Sequence, residues 1–558
     1  MPSDGRTTEG EVAAASTLPP SSSSRLEEGS AKGGLARSAG LISLATLASR
    51  VLGVAREIVV AALFGASTGP AMDAFNVAFR IPNLVRDLFA EGAMTAAFVP
   101  TFTRTLSSRG REAAWRLGNL VINALLLVTT ILVVLGIVFA EPITRAIAGA
   151  EFASVPGKVE LTTDLTRIML PFLTTVAVAV ALMGMLNSLR RFFIPSLSPA
   201  MFNVATIFCA FAVVPFMPMV GLPPIAGIAI GTLLGGIAQV VMQYPALHKE
   251  GFRYKPVLSF DDPDVREILR LMGPGTLGLA AVQINVFVNT YLATTQEQGA
   301  VSWLGYAFRL MYLPIGMFGV SIAMAALPDI SRQVSASDLS AVRRTVSQGI
   351  RMMLMLNVPA TIGLVALARP IVELIYERGA FVPQDTNATA LALIFYSPGL
   401  LGYSAVKIIS PTFYSMRDAR TPVVVSVLAV AVNLALNLVL VNVLGFRGLA
   451  LGTAIASVFN AGVLMFLLSR RLEGLEGHAI ASDFIRILLA ASVMGAAAWG
   501  ACALLETWLP GATFTLRLLR VSASIAIAIL VLLIAAHLLR LEDFDTARRR
   551  VLSRLVRR

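Results

Sequence analysis

The amino-acid sequence predicts an all-α polytopic membrane protein of about fourteen transmembrane helices, arranged as two parallel six-helix lobes plus two C-terminal helices. Three observations carry this. Of the 558 residues, 56% are hydrophobic and only 14% charged, where soluble globular domains carry about 25% charged residues; the mean hydropathy is +0.76. Apolar stretches of spanning length recur along nearly the whole chain. About 20 apolar residues cross a bilayer as a helix, because lipid offers no partner to an unpaired backbone group. Alternating strand patterns are absent, which argues against a membrane β-barrel. Finally, the chain repeats itself, as described below.

Residues 1–35 differ from the rest. They are rich in Ser, Gly, Pro and Glu and lack the apolar core of a signal peptide, so a disordered cytosolic tail is expected. The spans follow at 37–65, 70–104, 113–140, 161–189, 194–217, 222–247, 265–293, 300–331, 340–368, 385–413, 420–444, 447–470, 483–508 and 515–540. Cations collect in alternate connections. They are Arg104, Arg109, Arg111 and Arg116; Arg190 and Arg191; Lys249, Arg253 and Lys255; Arg332, Arg343 and Arg344; Arg417 and Arg420; Arg470 and Arg471. The intervening loops have no cations, or balance them: Arg145 and Lys158 sit among Glu141, Glu151 and Glu160. The positive-inside rule then places both termini, including the basic tail 541–558, in the cytosol. The net charge of +12 is read as this loop bias and not as a nucleic-acid surface. Cys209, Cys502, His248, His478 and His537 show no metal-ligand spacing, and both cysteines are read as packing residues.

The repeat has an offset of roughly 221 to 229 residues. Ala78-Phe79-Arg80 returns as Ala307-Phe308-Arg309, and Ala96-Ala97-Phe98-Val99-Pro100 as Ala325-Ala326-Leu327-Pro328 with one residue deleted. Ser188-Leu189-Arg190 with Pro195 returns as Ser415-Met416-Arg417 with Pro422, and Gly227 to Thr232 as Gly448 to Thr453. Six spans per repeat give both halves the same direction of insertion, as in transporters that enclose a central cavity between parallel repeats. The N-lobe is therefore 36–250 and the C-lobe 251–472, with 473–540 as an appended pair.

Charges stand inside several spans. The first contains Arg50, Arg56 and Glu57; the second Asp73, Arg80, Arg86, Asp87 and Glu91; the eighth Arg309; the tenth Lys407. A central Arg costs about 2.5–3.5 kcal/mol on insertion scales, so such residues face a cavity and mark function. Arg50 and Glu57 share a helical face, and Asp73, Arg80, Asp87 and Glu91 fall on one stripe, with Pro82 bending the register. Several guanidinium groups around one cavity suit a phosphate-bearing substrate, since Arg pairs bidentately with phosphate oxygens.

Ser49-Arg50-Val51-Leu52-Gly53 with Ala55-Arg56-Glu57 resembles the first helix of the MurJ/MviN family of lipid II flippases. So do Asp73-Ala74-Phe75, Ile81-Pro82-Asn83-Leu84 with Arg86, Phe89-Ala90-Glu91-Gly92-Ala93, and Phe98-Val99-Pro100. The likeness continues through Val301-Ser302-Trp303, Arg309-Leu310-Met311 and Pro411 to Pro422, covering roughly residues 37–540. It implies a MOP exporter-like fold and transport of the lipid-linked peptidoglycan precursor, lipid II, from the cytosolic to the outer leaflet of the bacterial plasma membrane. It also implies that Arg50, Arg56, Arg86 and Arg309 engage the substrate diphosphate. Glu57, Asp73 and Glu91 would support them in one charge network with Arg80. Residues 473–540 would form a groove for the lipid tail. Two positions depart from the pattern: Asp87 stands where relatives often carry a base, and Phe308 where they often carry an acid.

The implied partners are lipid II, membrane lipids and the cell-wall synthesis machinery, and no nucleic acid. No cofactor is expected; the cycle would draw on the membrane potential or an ion gradient. No GxxxxGK[ST] is present, so direct ATP hydrolysis is not expected. The residues alone leave other readings open. One is a flippase for another polyprenyl-diphosphate-linked oligosaccharide, or a drug antiporter of the same superfamily. Another is a membrane-bound polyprenyl-phosphate transferase, whose acids would be Asp261-Asp262-Pro263-Asp264. That run also reads as a helix start, with Asp262 as N-cap and Pro263 in the first helical position.

Overall fold

Gly, Pro and the cationic loops punctuate the chain, and the apolar runs between them are helices. The computed structural model describes residues 44–87 and 94–539, with no strand among the described residues. The expected tails 1–35 and 541–558, and Glu91, lie outside them.

The N-lobe begins with α1 (44–64), α2 (Ala71–Arg86) and α3 (Met94–Val138). α3 is two helices in one: Gly110, at φ 83° and ψ −178°, turns the chain within one residue, so the loop expected at 105–112 shrinks to a corner. The short α4 (Ala140–Ile147) and α5 (Ala150–Ser154) lead to α6 (Lys158–Met169) and α7 (Phe172–Ser188), which meet at Pro171. α8 (Phe193–Ala212) and α9 (Ala226–Lys249) complete this lobe.

The C-lobe follows the same order. It contains α10 (Pro263–Thr294), α11 (Ala300–Pro314), α12 (Val320–Ser335), α13 (Leu339–Ala366), α14 (Ala368–Tyr376), α15 (Pro383–Tyr396), α16 (Gly399–Ser415), α17 (Arg420–Leu444) and α18 (Phe446–Arg471). Asp262 caps α10 as expected, accepting the Asp264 N–H at 3.0 Å. α19 (Gly477–Trp508) and α20 (Phe514–Leu538) pack on each other, α19 also on α13 and α20 on α14. Ten described helices are long and apolar enough to cross a bilayer, and the pair α15–α16, bent by 46°, makes an eleventh. With α1, α2 counted together with the first half of α3, and α10, the order is compatible with fourteen spans.

The repeat is visible in the backbone. Arg190 (φ 59°) and Arg417 (φ 60°) end α7 and α16 in the same left-handed conformation. Each is followed by the same closing bonds: Arg190 N–H to Asn187 O and Arg191 N–H to Leu186 O, against Arg417 N–H to Tyr414 O and Asp418 N–H to Phe413 O. Such 5→2 and 6→1 bonds terminate helices at a left-handed residue. At the second corner the Thr421 N–H and hydroxyl, with Arg471, hold the Asp418 carboxyl below the usual carboxylate range.

The two ends of the bundle are held differently. At the end away from the basic loops, one core cluster straddles both lobes, joining Val60, Ala61 and Met72 to Trp303, Tyr306 and Phe381. At the basic end the cores are separate, one built on α3, α7 and the start of α10 and one on α12, α13 and α16. α10 passes between the lobes, packing against α3 and against α17. There Asn289 donates to Asn433 at 3.0 Å and receives from Asn437 at 2.6 Å, a polar tie of the kind that joins helices in lipid.

At the sealed end backbone meets backbone. Ala380 N–H donates to Ala62 O at 2.8 Å. A Cβ on Gly379 (φ 59°) would lie 2.2 Å from Ala62 O, and one on Gly65 (φ 64°) 2.3 Å from Ala380 O. A left-handed residue with a side chain costs about 1–2 kcal/mol, and here the clash is added. Gly379→Ala should therefore hold this end open. In a C209A/C502A background, a cysteine placed at the buried Ala66 should go from unreactive to labelled by an impermeant maleimide; unchanged protection would show that the close approach is dispensable.

α20 is anchored by charge. Arg517 donates to Glu377 Oε1 at 2.8 Å and to Glu377 O at 3.0 Å, and its Nε stands 2.9 Å from Glu373 Oε1. All three side chains are largely buried. Arg517→Ala strands two carboxylates, a class of change that costs about 3–5 kcal/mol when fully buried. It should lower the unfolding temperature in detergent more than Glu373→Gln does, and equal shifts would refute the anchor.

Candidate functional site

Charged side chains from both lobes converge midway along the bundle. On α1, Arg50 and Glu57 are seven residues apart; on α11 and the π-helical turn Ile315–Gly319, so are Arg309 and Gly316. The helices run antiparallel, and two turns register against two turns. Glu57 receives a short ion pair from Arg309 of the other lobe and another from its neighbour Arg56. The Arg50 guanidinium lies over Gly316, with Nη1 2.6 Å from where a Cβ would stand. Pro314 removes a helical hydrogen bond just before this turn, and π turns of this kind cluster at functional sites.

α2 supplies the rest. Arg80 is exposed and lies within electrostatic range of Arg309, Asp87 and Tyr396. Arg86 pairs with Asp87 at 2.9 Å, and Asp87 also has Asn83 at 3.4 Å and Gln283 of α10 at 3.5 Å. Arg56 stacks over Phe202 at 5.0 Å and Arg309 approaches the Tyr306 ring at 5.9 Å. Arg309 is 40% exposed although Glu57 is 10%, so the pair lines open space from one side. The departure at Phe308 is an aromatic contact: its ring packs against Tyr312, Tyr396 and Tyr403 at 5.5–6.1 Å. Lys407, four residues after Tyr403 on the same helical face, is exposed.

Of the residues predicted from sequence, the structure brings Arg56, Glu57, Arg80 and Arg309 together, with Arg50 two turns along. Arg86 joins through Asp87. Glu91 lies outside the described residues. Asp73 is placed elsewhere. It is 1% exposed and accepts four bonds at the sealed end: Gly299 N–H at 2.8 Å, Ser302 N–H at 3.1 Å, Ser302 Oγ at 2.6 Å and Lys158 Nζ at 3.1 Å. It thereby satisfies the orphan donors at the start of α11, where negative charge is favoured. Lys158, expected to be balanced by loop acids, is equally buried and lies over the Phe152 ring at 4.3 Å.

The second latch was not foreseen. Asp385, fully buried, accepts Ala66 N–H and Ser67 N–H at 3.1 Å, Ser67 Oγ at 2.5 Å and Trp303 Nε1 at 2.9 Å. Its partners on the other lobe lie 318 and 319 residues away and Trp303 lies 82 away, so only the acid beside Pro383 is available as a signal. The basic end has ion pairs instead: Arg104 with Glu267, and Arg109 with Asp264 at 2.9 Å, both arginines more than half exposed. Among the described residues no group of three or more His, Cys, Asp or Glu is placed to hold a metal.

Known proteins share this fold. A solved lipid II flippase MurJ in an inward closed conformation aligns over 89% of this chain and 98% of its own, at 27% identity and a TM-score of 0.73. An inward-facing multidrug resistance MATE transporter of the MOP superfamily aligns over 77% and 96%, at 16% identity and a TM-score of 0.63, a likeness of fold. Among sequences, the probable lipid II flippase MurJ of Vibrio cholerae is 35% identical over 77% of this chain and 82% of its own. The lipid II flippase MurJ of Burkholderia cenocepacia is 33% identical over 76% and 82%. The sequence profile described as "Lipid II flippase MurJ" matches residues 60–519, and the chain belongs to that family of membrane transporters.

Proposed function

We propose that this chain flips lipid II from the cytosolic to the outer leaflet of a bacterial plasma membrane by alternating access. The observation that carries the reading is the excess of guanidinium groups between the lobes. Arg50, Arg56, Arg80 and Arg309 have Glu57 and Asp87 as their acidic neighbours among the described residues, and a diphosphate supplies further negative charge. Both termini are cytosolic on this reading. The basic end then admits headgroup from the inner leaflet while Asp73 and Asp385 close the outer end. Opening outward requires those two latches to release and the lobes to meet at the basic end. Pro82 and the Pro314 break give α2 and α11 places to bend. The membrane potential or an ion gradient resets the empty carrier.

The transferase reading is weaker, because its acids are already committed: Asp262 caps α10, Asp264 pairs with Arg109, and Asp261 pairs with Arg266. An arginine-lined cavity also disfavours a cationic drug.

The test is rescue of a bacterium depleted of its own lipid II flippase, with membrane levels checked, followed by a flipping assay in vesicles. The intact chain should restore growth and outer-leaflet lipid II. Arg50→Ala, Arg56→Ala, Arg86→Ala and Arg309→Ala should insert normally and fail, while Asp264→Asn should transport. An intact chain that inserts but flips nothing in either assay would move the substrate to another polyprenyl-linked oligosaccharide.

Gly316 gives a finer readout. A Cβ there must displace the flexible Arg50 tip without disturbing backbone. Gly316→Ala should therefore leave membrane level unchanged and reduce flipping several-fold; full activity would mean that Arg50 need not hold this position.

A further inference from the structure

Tyr306 carries a hydroxyl that this conformation does not use. The residue is 1% exposed, and its Oη has no hydrogen-bond partner among the described residues. Its ring is fixed by its neighbours, Tyr376 at 4.8 Å and Phe381 at 5.6 Å between centroids. Phenylalanine would fill the same space, and a buried hydroxyl with no partner is a cost to the fold. The hydroxyl lies within electrostatic range of Glu57, Arg309, Tyr376 and Asp385. Of the two carboxylates, Asp385 is already filled by Ala66, Ser67 and Trp303. Glu57 is different, because both of its donors are arginines of the central charge cluster.

We infer that Tyr306 is a positioning residue whose hydroxyl takes over Glu57 Oε2 when a substrate phosphate draws Arg309 away. This deepens the function proposed above and rests on its claim that Arg309 engages a phosphate. The exposures set up the exchange. The Arg309 side chain is 40% exposed and can turn into open space, whereas Glu57 is 10% exposed and cannot follow it. Arg56 holds Oε1 and Arg309 holds Oε2. The departure of Arg309 therefore leaves Oε2 without a donor, in a low dielectric and beside an arriving anion. A buried charge stranded in this way is strongly unfavourable. A phenol meets it with one hydrogen bond and adds no charge of its own, and a bond to an ionised acceptor is about twice as strong as a neutral one. Tyr306 stands one turn before Arg309 on the same face of α11, with the Arg309 guanidinium 5.9 Å from its ring centroid. The incoming donor is thus already beside the outgoing one. An unmet hydroxyl in the empty carrier and a met one in the loaded carrier both shift the balance toward the loaded state.

The experiment uses the full chain in nanodiscs and two ligands, lipid II and a polyprenyl diphosphate that carries no sugar. The variants are Tyr306→Phe, Glu57→Gln and the two combined. Binding of each ligand and the unfolding temperature of the empty protein are measured. Tyr306→Phe should leave that temperature unchanged or raise it, because the empty protein loses no bond. It should bind the ligand about tenfold more weakly, the order expected of one hydrogen bond to a charged group. In the Glu57→Gln background the same substitution should cost clearly less, as it does for two groups that act on each other. A lowered unfolding temperature of the empty protein would show a structural role and overturn the proposal. So would binding equal to that of the parent, or an equal loss with and without the Glu57 carboxylate. A parent that binds the polyprenyl diphosphate but not lipid II refutes the lipid II reading, and Tyr306 is then decided on the ligand that binds. A parent that binds neither removes the phosphate on which both readings rest, and both fall.

Discussion

A carboxylate inside a bilayer-spanning bundle needs cations or hydrogen-bond donors to meet it, and Glu57 is met by cations from both halves of the molecule. Arg56 comes from its own helix and Arg309 from the other lobe. Removing one charge of such a set leaves the others stranded in a low dielectric, so the three residues hold α1 against α11. That antiparallel register places Arg50 on Gly316. The same register aligns the sealed end, because α1 runs on into the Ala62–Ser67 segment that α15 and its preceding loop bind. One ion cluster thus fixes both the cavity lining and the place where the lobes touch.

The ties at the two ends differ in kind, and that difference suits a transporter. Asp73 and Asp385 are buried carboxylates whose acceptors are filled by backbone N–H groups, hydroxyls, an indole and Lys158. Hydrogen bonds to a charged group are worth about 1.5–3 kcal/mol each; Lys158 and Trp303 hold their carboxylates within one lobe, while the bonds to Ala66, Ser67, Gly299 and Ser302 cross between lobes and break together when the lobes part. Such a latch is stable but cooperative. At the basic end, Arg104 pairs with Glu267 at the surface, a kind of pair worth about 0–1 kcal/mol, while the exposed Arg109 reaches the buried Asp264.

Much of this was legible in the chain because it depends on local periodicity. Span order, the repeat, the Asp262 cap and the facing of Arg50 with Glu57 all follow from spacing within a helix or between copies. The two corners at Arg190 and Arg417 carry the repeat into matching backbone angles. What was illegible depends on contacts between distant segments. Asp73 shares a helical stripe with Arg80, so helix geometry alone assigns it to the arginines. Only the approach of α11 shows that it caps Gly299 and Ser302 instead. Asp385 looks like an ordinary first-turn acid until the Ala66–Ser67 backbone arrives from the other lobe. Lys158 reads as a loop cation because nothing in the sequence reveals that α6 begins buried against α2.

The charges of the site bear on how the proposed cycle would be driven. With Asp73 committed to the seal, the empty cavity carries more guanidinium than carboxylate among the described residues. On the proposed reading, the substrate diphosphate neutralises much of that excess, so the loaded carrier moves little net charge when the lobes rock. The empty carrier would move the excess positive charge back. One elementary charge crossing 100 mV corresponds to about 2.3 kcal/mol. On that reading a membrane negative inside would draw the empty, positive cavity toward the cytosolic side and do little to the loaded one. Releasing the lipid outside would then expose the charge that the field acts on, and on the proposed reading the placement of the carboxylates would set the direction of the cycle.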